Sequence, residues 1–573
     1  MDKCMTHLTR LLMGVMMLTV GIEMVSAAKK EKVTIVYSGN TVKVSQPKNK
    51  NIQIQYNGAK VVVQSDVTDQ EVEYVLKGKS TDGSFELNGV YKATVTLDGV
   101  DLKTQEGSAI NLKCGKRMKL NLTKGTTNSL VDGVDTLHKA CIYTKGHLEI
   151  GGEGRLTLTA NSKNAIAAKE YVEIQSTTGK IAISSATGNG ISSGANLTIN
   201  GGTIDINLSS VDKKALKCDS TLTINGGSIR ASLTGDGGKG VKCGGDVVIN
   251  GGSIDIETSG NYVSERAFGF GGFGGGMPDF GEGEMPDFGG FGGFPGMGAM
   301  PDSIGFGGFG GFGEGGMPDF GGFGGFGGFG RGNDVQISDS VRQLLFGNDY
   351  EERGMGFAKR KFNGSAKAIK AMGTITINGG DVKLKTASAG AEGMEAKRGV
   401  TINGGTVYVK AMDDGISSNG TITFNGGDVF VWSISNDAID TNSNSREALI
   451  IMGGKVTACS QVGPPEEPFD SDFSQMTLTG GTVFGMGGSM TGAAPMPKES
   501  ADTQLTVSLN GLPCPEGKTL LCVDEKGKEL FSFVIPFSML SSNSILSLPQ
   551  FEKGKTYRLK IKEPDVTLKE FVF

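Results

Sequence analysis

Apolar and polar residues alternate along most of this chain, and the alternation is interrupted at regular intervals by the phrase Ile-Asn-Gly-Gly or a close variant. Leu222 and Ile224 alternate with threonines ahead of Asn225-Gly226-Gly227, and Ile229 and Ala231 continue the alternation behind it. A period of two indicates β-strands rather than helices. Because Asn-Gly-Gly supplies residues that tolerate a positive φ, each phrase predicts a sharp corner between two strands.

The corner phrase recurs every 22 to 28 residues, which is typical of a solenoid. Twelve apolar residues mark the register immediately before the corner: Leu97, Leu122, Ile150, Ile174, Ile199, Ile224, Ile249, Ile377, Ile402, Phe424, Ile451 and Leu478. A second corner in each repeat is marked by a small residue followed by an apolar one, as in Ala215-Leu216 and Gly240-Val241. Two or three short strands per repeat predict an all-β fold, a right-handed parallel β-helix of about 12 coils with β-rich caps at both ends.

The register marks also predict the domain organisation. Residues before Leu97 and after residue 495 alternate like strands but do not follow the 25-residue spacing, and a solenoid needs caps to cover its terminal edges. The predicted segments are a signal peptide (1–27), an N-terminal cap (28–95), the first part of the β-helix (96–260), an insertion (261–366), the second part of the β-helix (367–495) and a C-terminal cap or small β-domain (496–573).

The N-terminus has the features of a secretory signal peptide. Lys3 and Arg10 precede an apolar run from Leu11 to Ile22, and Val25-Ser26-Ala27 fits the small-residue rule for a cleavage site. Glu23 ends the apolar run too early for a membrane anchor. We therefore expect a secreted or cell-surface protein that has no membrane span once the signal is removed.

Composition narrows the functional classes further. A net charge of −5 over 573 residues argues against a nucleic-acid-binding protein. The insertion contains a segment of Gly-Gly-Phe units at about 268–332, whose glycine content is too high to offset the entropy of ordering. It is predicted to be a loop that leaves one corner, or alternatively a segment whose regularly spaced phenylalanines make contacts of their own.

The cysteines fall into two groups. Cys218 and Cys243 occupy the same position in neighbouring repeats and are predicted to point inward as buried thiols. Cys514 and Cys522 flank a Pro-Glu-Gly turn, which in an exported chain makes a disulfide a reasonable prediction. None of the cysteines has the Cys-x-x-Cys spacing of a metal site.

Two columns of charge appear when the repeats are aligned on the apolar residue of the second corner. Two residues before it stand Lys214, Lys239, Lys367, Glu392, Asp414 and Asp437. One residue after it stand Lys217, Lys242, Lys370, Glu395, Ser417 and Asp440. Neighbouring coils lie about 4.8 Å apart, so like charges stacked on them repel unless a ligand or counter-ion is bound. The alternative is ordinary solvated charge, in which exposed ion pairs contribute little.

The chemistry of the columns suggests ligands. The six lysines at 214, 217, 239, 242, 367 and 370 are candidates for binding an acidic polysaccharide. Asp413, Asp414, Asp437, Asp440 and Asn442 offer several oxygen ligands of the kind Ca²⁺ prefers. Their spacing is neither that of an EF-hand nor that of the nonapeptide Ca²⁺ repeat.

These features together resemble a known family, the secreted bacterial carbohydrate-binding domains built as right-handed parallel β-helices similar to pectate lyases. The resemblance rests on the repeated Ile-Asn-Gly-Gly, on the segments 72–78 and 80–84, and on the acidic corners 413–416 and 436–439, and it covers about residues 30–495. Members of that family bind cellulose and polygalacturonate and hold Ca²⁺. The resemblance implies metal-binding roles for Asp414, Asp437 and Asp440, and more weakly for Glu392 and Glu395.

Three functions remain open on the sequence. The first is non-catalytic binding of acidic polysaccharide, and the second is a polysaccharide lyase, for which Lys397, Arg398 and Lys410 are candidate bases. The third is a structural surface protein or adhesin in which the Gly/Phe segment makes the contacts. A single tryptophan, Trp432, and three histidines make an aromatic sugar platform, a catalytic histidine and a zinc site poor alternatives.

Overall fold

The computed structural model describes residues 30–135, 137–185, 187–261, 364–471 and 474–573, together with residues 338, 341 and 345. The predicted signal peptide and the Gly/Phe segment at 268–332 lie outside the described residues. None of the helices in the described part of the chain has the length and hydropathy needed to span a bilayer.

The N-terminal strands belong to the same two sheets as the strands of the later coils. They are β1 (Lys32–Ser38), β2 (Thr41–Val44), β3 (Ile52–Asn57), β4 (Ala59–Ser65), β5 (Val72–Ser80), β6 (Gly83–Gly89), β7 (Ala93–Lys103) and β8 (Ile110–Leu112). Strands β1, β5 and β7 pair in parallel, as do β4, β6 and β8, while the β1–β2 and β3–β4 pairs are antiparallel. The backbone ladders thus form here without the Asn-Gly-Gly corner.

Regular coils follow from β9 onward. Those before the insertion comprise β9 (Arg117–Leu122), β10 (Thr127–Val131), β11 (Ala140–Thr144), β12 (His147–Gly151), β13 (Arg155–Ala160), β14 (Asn164–Ala168), β15 (Val172–Ile174), β16 (Lys180–Ser185), β17 (Ile191–Ser193), β18 (Leu197–Ile199), β19 (Thr203–Leu208), β20 (Lys214–Cys218), β21 (Leu222–Ile224), β22 (Ser228–Leu233), β23 (Lys239–Cys243), β24 (Val247–Ile249) and β25 (Ser253–Thr258). Each coil contributes three strands, and each strand pairs in parallel with its counterpart in the next coil, as β18, β19 and β20 do with β21, β22 and β23.

The ladders continue directly across the insertion. The later coils comprise β26 (Lys367–Ala371), β27 (Thr374–Ile377), β28 (Asp381–Thr386), β29 (Glu392–Ala396), β30 (Gly399–Ile402), β31 (Thr406–Ala411), β32 (Ile416–Ser418), β33 (Ile422–Phe424), β34 (Asp428–Ser433), β35 (Ile439–Thr441), β36 (Leu449–Ile451), β37 (Lys455–Ser460), β38 (Phe469–Ser471), β39 (Thr477–Leu478) and β40 (Thr482–Met486). Strands β23, β24 and β25 pair in parallel with β26, β27 and β28. The result is the predicted parallel β-helix, with about 13 turns and consistent with the right-handed coil that parallel crossovers favour.

The alternation of apolar residues explains the core. In the coil that starts at β18, Leu197, Ile199, Ile204, Ile206 and Leu216 all point inward and are at most 2% exposed. Each such side chain contributes roughly 1.5–3 kcal/mol when it is removed from water. Stacking the same residue types coil upon coil gives one continuous apolar core, which no single coil could bury alone.

Both the glycine and the asparagine of the corner phrase contribute to the geometry of the corner. The second glycine has a positive φ, 93° at Gly227, which a side chain would strain. The asparagine forms a ladder along the corner, in which Asn225 Nδ2 donates to Asn200 Oδ1 and Asn250 Nδ2 donates to Asn225 Oδ1, both at 2.7 Å. The corner therefore fixes the register of the coils.

The C-terminal strands close the end of the β-helix. They are β41 (Thr506–Cys514), β42 (Thr519–Asp524), β43 (Glu529–Val534), β44 (Met539–Ser547), β45 (Thr556–Ile561) and β46 (Val566–Val572). Strand β44 pairs antiparallel with β40 and β41, and the other four form a separate antiparallel sheet. The disulfide predicted between Cys514 and Cys522 is not formed in the structure: both are buried free thiols on strands of different sheets, and Cys514 Sγ lies 3.4 Å from Ser542 Oγ. Cys218 and Cys243 are buried free thiols in this structure, as predicted.

Candidate functional site

The two predicted charge columns are in register on one strand ladder, the one formed by β20, β23, β26, β29, β32, β35 and β38. The inner column contains Lys214, Lys239, Lys367 and Glu392 as direct pairing partners. The outer column contains Lys217, Lys242, Lys370, Glu395, Ser417, Asp440 and Asp470. A basic half and an acidic half therefore follow one another along the same ladder.

The inner lysine column is buried rather than open to a polymer. Lys214, Lys239 and Lys367 are 9%, 6% and 6% exposed. The carboxylate of Asp212 lies 2.8 Å from Lys214 Nζ and 3.3 Å from Lys239 Nζ. Burial alone would raise the pKa of Asp212, but the two lysines more than offset this and lower it. Each of these ammonium groups lies in an ion pair, Lys214 and Lys239 with the exposed Asp212 and Lys367 with Glu392 and Glu395.

The outer lysine column keeps its ammonium groups at the surface. Lys217, Lys242 and Lys370 are half-buried. Lys217 Nζ lies 3.0 Å from Asp219 Oδ1, and Lys370 Nζ lies 2.9 Å from Glu395 Oε2. For Lys242 the structure gives no ion pair with another described residue. This column is therefore the part of the predicted lysine set that an anionic ligand can reach.

The acidic half brings buried carboxylates together. Asp414, Asp437 and Asp440 are 7%, 1% and 7% exposed. One carboxylate oxygen from each of Asp437, Asp440 and Asp470 lies within 4.8 Å of the others. Burial raises the pKa of Asp414 and of Asp437 well above the usual range, and the neighbouring carboxylates raise them further. Such a cluster is costly to ionise unless a cation balances it.

The geometry of this cluster fits a hard divalent cation. Ligand oxygens bound to one Ca²⁺ at 2.3–2.6 Å lie at most about 5 Å apart, so three oxygens within 4.8 Å are compatible with one shared ion. The buried Oδ1 of Asp414 has no hydrogen-bond partner, which leaves it available for a cation in the same acidic region. Ca²⁺ would neutralise the carboxylates there.

The remaining predicted ligands form hydrogen bonds or ion pairs with other side chains of the protein. Asn442 is exposed, and its Nδ2 donates to Asp440 Oδ2 at 2.8 Å, so its amide orients Asp440. Asp413 accepts a hydrogen bond from Asn436 Nδ2 at 2.8 Å. Glu392 and Glu395 bind Lys367, at 2.7 and 2.9 Å, and stand at the junction of the basic and acidic halves.

Asp470 and Glu467 belong to the same columns, and the sequence analysis missed them. Phe469 occupies the apolar position of the second corner in its coil, with Glu467 two residues before it and Asp470 one residue after it. Glu467 N donates to Asp437 Oδ1 at 2.6 Å, which joins the two coils. The signal was present, but a proline replaces the small residue that marks this corner elsewhere.

A second polar surface lies at the ends of the strands behind the Asn-Gly-Gly corner. A groove of about 350 Å³ crosses β13, β16, β19 and β22. Thr159, Ser184, Asn207 and Ser232 stand in register along it. Its lining carries hydroxyl and amide groups without a charged side chain: Thr159, Ala160, Asn161, Ser184, Ser185, Asn207, Leu208, Ser209, Ser232 and Thr234.

Two of the three candidate lyase bases, and the tryptophan, contact other side chains of the protein. Lys397 Nζ lies 2.5 Å from Glu395 Oε1, and Lys410 Nζ lies 3.6 Å from the centroid of the Trp432 ring. Trp432 packs against Phe537 of the C-terminal region with ring centroids 5.5 Å apart, so it is not an open sugar platform. Arg398 is exposed on the turn after β29.

Fold and site define a parallel β-helix protein with a basic row and a candidate cation site on one ladder. A model of the family described as "Carbohydrate-binding domain-containing protein" matches residues 58–391 and 359–438, and the chain belongs to that family. A curated relative of the same description from Acetivibrio thermocellus is 29% identical over 111 residues, which are 18% of this chain and 39% of the relative. This chain thus spans well under half of that relative's length.

One solved structure is also similar. It is described as the polysaccharide lyase-like protein from C. thermocellum, gadolinium derivative. The identity is 23%, the match covers 40% of this chain and 91% of the other, and the TM-score is 0.33.

Proposed function

We propose that this protein is a secreted or cell-surface protein that binds acidic polysaccharide without cleaving it and holds Ca²⁺ at the acidic end of its binding ladder. One observation carries the proposal. The outer column passes from Lys217, Lys242 and Lys370 to Asp440 and Asp470 on one strand ladder. Membership in a carbohydrate-binding domain family supports a polysaccharide ligand.

The lysine row suits a polymer with regularly spaced carboxylates. Successive coils place Lys217, Lys242 and Lys370 about 4.8 Å apart, close to the length of one sugar residue. Like charges at neighbouring positions disfavour one another, and a polyuronate lying along the row would relieve that repulsion. Lys242, in the middle of the row, is the residue expected to contribute most, because its ammonium group is not already paired within the described chain.

The carboxylate cluster suits Ca²⁺. Asp437, Asp440 and Asp470 would hold the ion. Ca²⁺ accepts six to eight oxygen ligands, so three carboxylates leave positions for water or for a polymer carboxylate. Ca²⁺ binding would thus stabilise the ladder and extend the binding surface beyond the lysine row.

Two of the three candidate bases, Lys397 and Lys410, favour binding over cleavage. A lyase needs a base free to take a proton from the sugar beside the metal. Lys397 is held by Glu395, and Lys410 lies against Trp432. Each of these two ammonium groups therefore has a partner within the protein.

The uncharged groove supports a second candidate ligand, a neutral glycan. Ser184, Asn207 and Ser232 repeat at the coil spacing and can exchange hydrogen bonds with sugar hydroxyls. The groove and the lysine row overlap on two coils, since Asn207 lies in β19 and Ser232 in β22, while Lys217 lies in β20 and Lys242 in β23.

Retention on immobilised polysaccharides separates the two candidates. The wild-type protein, Lys242→Ala and Asn207→Ala are compared on polygalacturonate and on a neutral glucan, in Ca²⁺. We expect polygalacturonate to retain wild type and Asn207→Ala but release Lys242→Ala earlier. Loss of retention in Asn207→Ala alone would move the binding site to the groove, and release of unsaturated products that absorb ultraviolet light would establish a lyase instead.

A further inference from the structure

Cys218 and Cys243 form a close thiol pair between two neighbouring coils. They are direct pairing partners in β20 and β23, and both are buried, 2% and 0% exposed. Their Sγ atoms lie 3.0 Å apart. Paired residues on adjacent strands have Cα atoms about 4.8 Å apart, which is inside the range that a disulfide bridges. Bond formation therefore needs only a small movement of the two sulfur atoms.

Cys243 is held by hydrogen bonds to Cys218, which favours the Cys243 thiolate, and to two backbone carbonyl oxygens, which favour its thiol. Its Sγ lies 2.9 Å from the carbonyl oxygen of Ser220 and 3.2 Å from that of Asp246. The hydrogen bond from Cys218 lowers the pKa of Cys243 to about 7, although burial acts in the opposite direction. Thiolates are the nucleophiles of disulfide exchange.

We propose that Cys218 and Cys243 form a disulfide that clamps two successive coils of the β-helix. The clamp is distinct from the ligand sites, but it rests on the proposed export of the chain, since disulfides persist in oxidising compartments. It would hold Lys217 and Lys242, the residues next to the two cysteines, side by side in the lysine row against their mutual repulsion.

The reaction is a two-step exchange with a small-molecule or protein disulfide as oxidant. The Cys243 thiolate attacks one sulfur of that disulfide, forms a mixed disulfide and releases the first thiol. The Cys218 thiolate then attacks Cys243 Sγ and releases the second thiol. Both electrons and both protons leave with the oxidant, which becomes two thiols. Because the pair is buried in the finished fold, the exchange takes place while the coils assemble or open locally.

Alanine already occupies this position in the coils that follow, so alanine variants of the two cysteines fit the fold. The residues aligned with Cys243 in the next two coils are Ala371 and Ala396. Cys218→Ala and Cys243→Ala are therefore expected to fold. Cys522→Ala serves as the control, because Cys522 is buried and lies in another sheet.

The test uses full-length protein exported by a bacterial host and purified without reductant. Its free thiols are alkylated in denaturant, and its peptides are mapped by mass spectrometry before and after reduction; a second sample is treated with oxidised glutathione. We expect a cross-linked peptide joining Cys218 and Cys243, lighter than the two thiol peptides by two hydrogen atoms. It should persist in Cys522→Ala and vanish in Cys218→Ala. Reduction should lower the melting midpoint of wild type by several degrees but leave that of the double alanine variant unchanged.

Both cysteines fully alkylated in the exported and the oxidised samples would overturn the proposal. So would a cross-link that joins either of them to a different cysteine. Polysaccharide binding is measured on the same preparations, so loss of the clamp and loss of the proposed function are read separately.

Discussion

Lys367 and Glu392 face each other on neighbouring coils, with Lys367 Nζ 2.7 Å from Glu392 Oε1, at the point where the inner column changes from basic to acidic. Their side chains are 7% and 16% exposed. Burial alone would lower the pKa of Lys367, but Glu392 and Glu395 more than offset it and raise it. The junction is therefore a largely buried ion-pair network that joins two successive coils, those of β26 and β29, both of which follow the insertion.

Removing one partner of this network should destabilise the fold strongly. Lys367→Ala leaves the Glu392 carboxylate buried without its cation, whereas Glu395 keeps Lys370 and Lys397, for an expected loss of about 3–5 kcal/mol in the free energy of unfolding. Lys217→Ala is the control, since its ion pair with Asp219 is exposed and should contribute no more than about 1 kcal/mol. Denaturant titration measures both. Equal losses in the two variants would contradict the description of the junction.

The bridge at Asp212 predicts a pH dependence. Its pKa is lowered in the folded state, so its contribution is present above the ordinary value of 3.8 and is lost as pH falls through the folded pKa. Asp212→Asn should therefore be less stable than wild type at neutral pH, with the difference shrinking in acid. Asp219→Asn is a matched control, because both carboxylates are 56% exposed but Asp219, within the described residues, forms one ion pair, with Lys217. A difference between Asp212→Asn and wild type that stays constant from neutral to acid pH would rule this out.

The fold follows from the sequence where the repeat carries its own corner. Asn225, Gly226 and Gly227 supply both the turn and the asparagine ladder, so register and coil spacing can be read from them. The register of the N-terminal ladder cannot be read from the sequence in this way, because β1 and β5 pair through their backbones without the Asn-Gly-Gly phrase. Similarly, Phe469 marks a coil whose corner is built with proline.

The sequence predicted which site residues share a column along the ladder, but it did not predict which of them are buried. Counting residues placed Lys214 and Lys217 in two columns, and the strand register agrees. Counting could not show that Lys214 turns inward to Asp212 while Lys217 stays at the surface, since both are lysines near one corner. The burial of Lys214 depends on its ion-pair partner, Asp212, which lies in the loop before β20.

Ca²⁺ should stabilise the protein through the acidic cluster. At free Ca²⁺ 100 times the dissociation constant, the expected gain is ~2.7 kcal/mol. Asp437→Asn and Asp440→Asn should lose this gain, whereas Asp428→Asn, an exposed carboxylate on β34, should keep it. Thermal melts with Ca²⁺ and with a chelator provide the measurement. Identical melts of wild type under both conditions would refute the calcium site.

Removing the Gly/Phe segment should leave the β-helix intact. Strands β23, β24 and β25 already pair with β26, β27 and β28 across the insertion, so the ladders do not need the residues between them. Deletion of 268–332 should therefore leave far-ultraviolet circular dichroism and the melting midpoint nearly unchanged. A cooperative loss of the β-signal would contradict this, and loss of surface attachment alone would support an adhesive role for the segment.

The most direct test of the central claim is a calorimetric titration of the full-length protein with oligogalacturonate, in Ca²⁺ and in chelator. Binding should be tightest in Ca²⁺ at low salt and should weaken as salt screens the lysine row. Lys242→Ala should lower the affinity about tenfold, or ~1.4 kcal/mol, while Asn207→Ala leaves it unchanged. An affinity that is indifferent to Ca²⁺, to salt and to Lys242→Ala would contradict the proposed binding of acidic polysaccharide on this ladder.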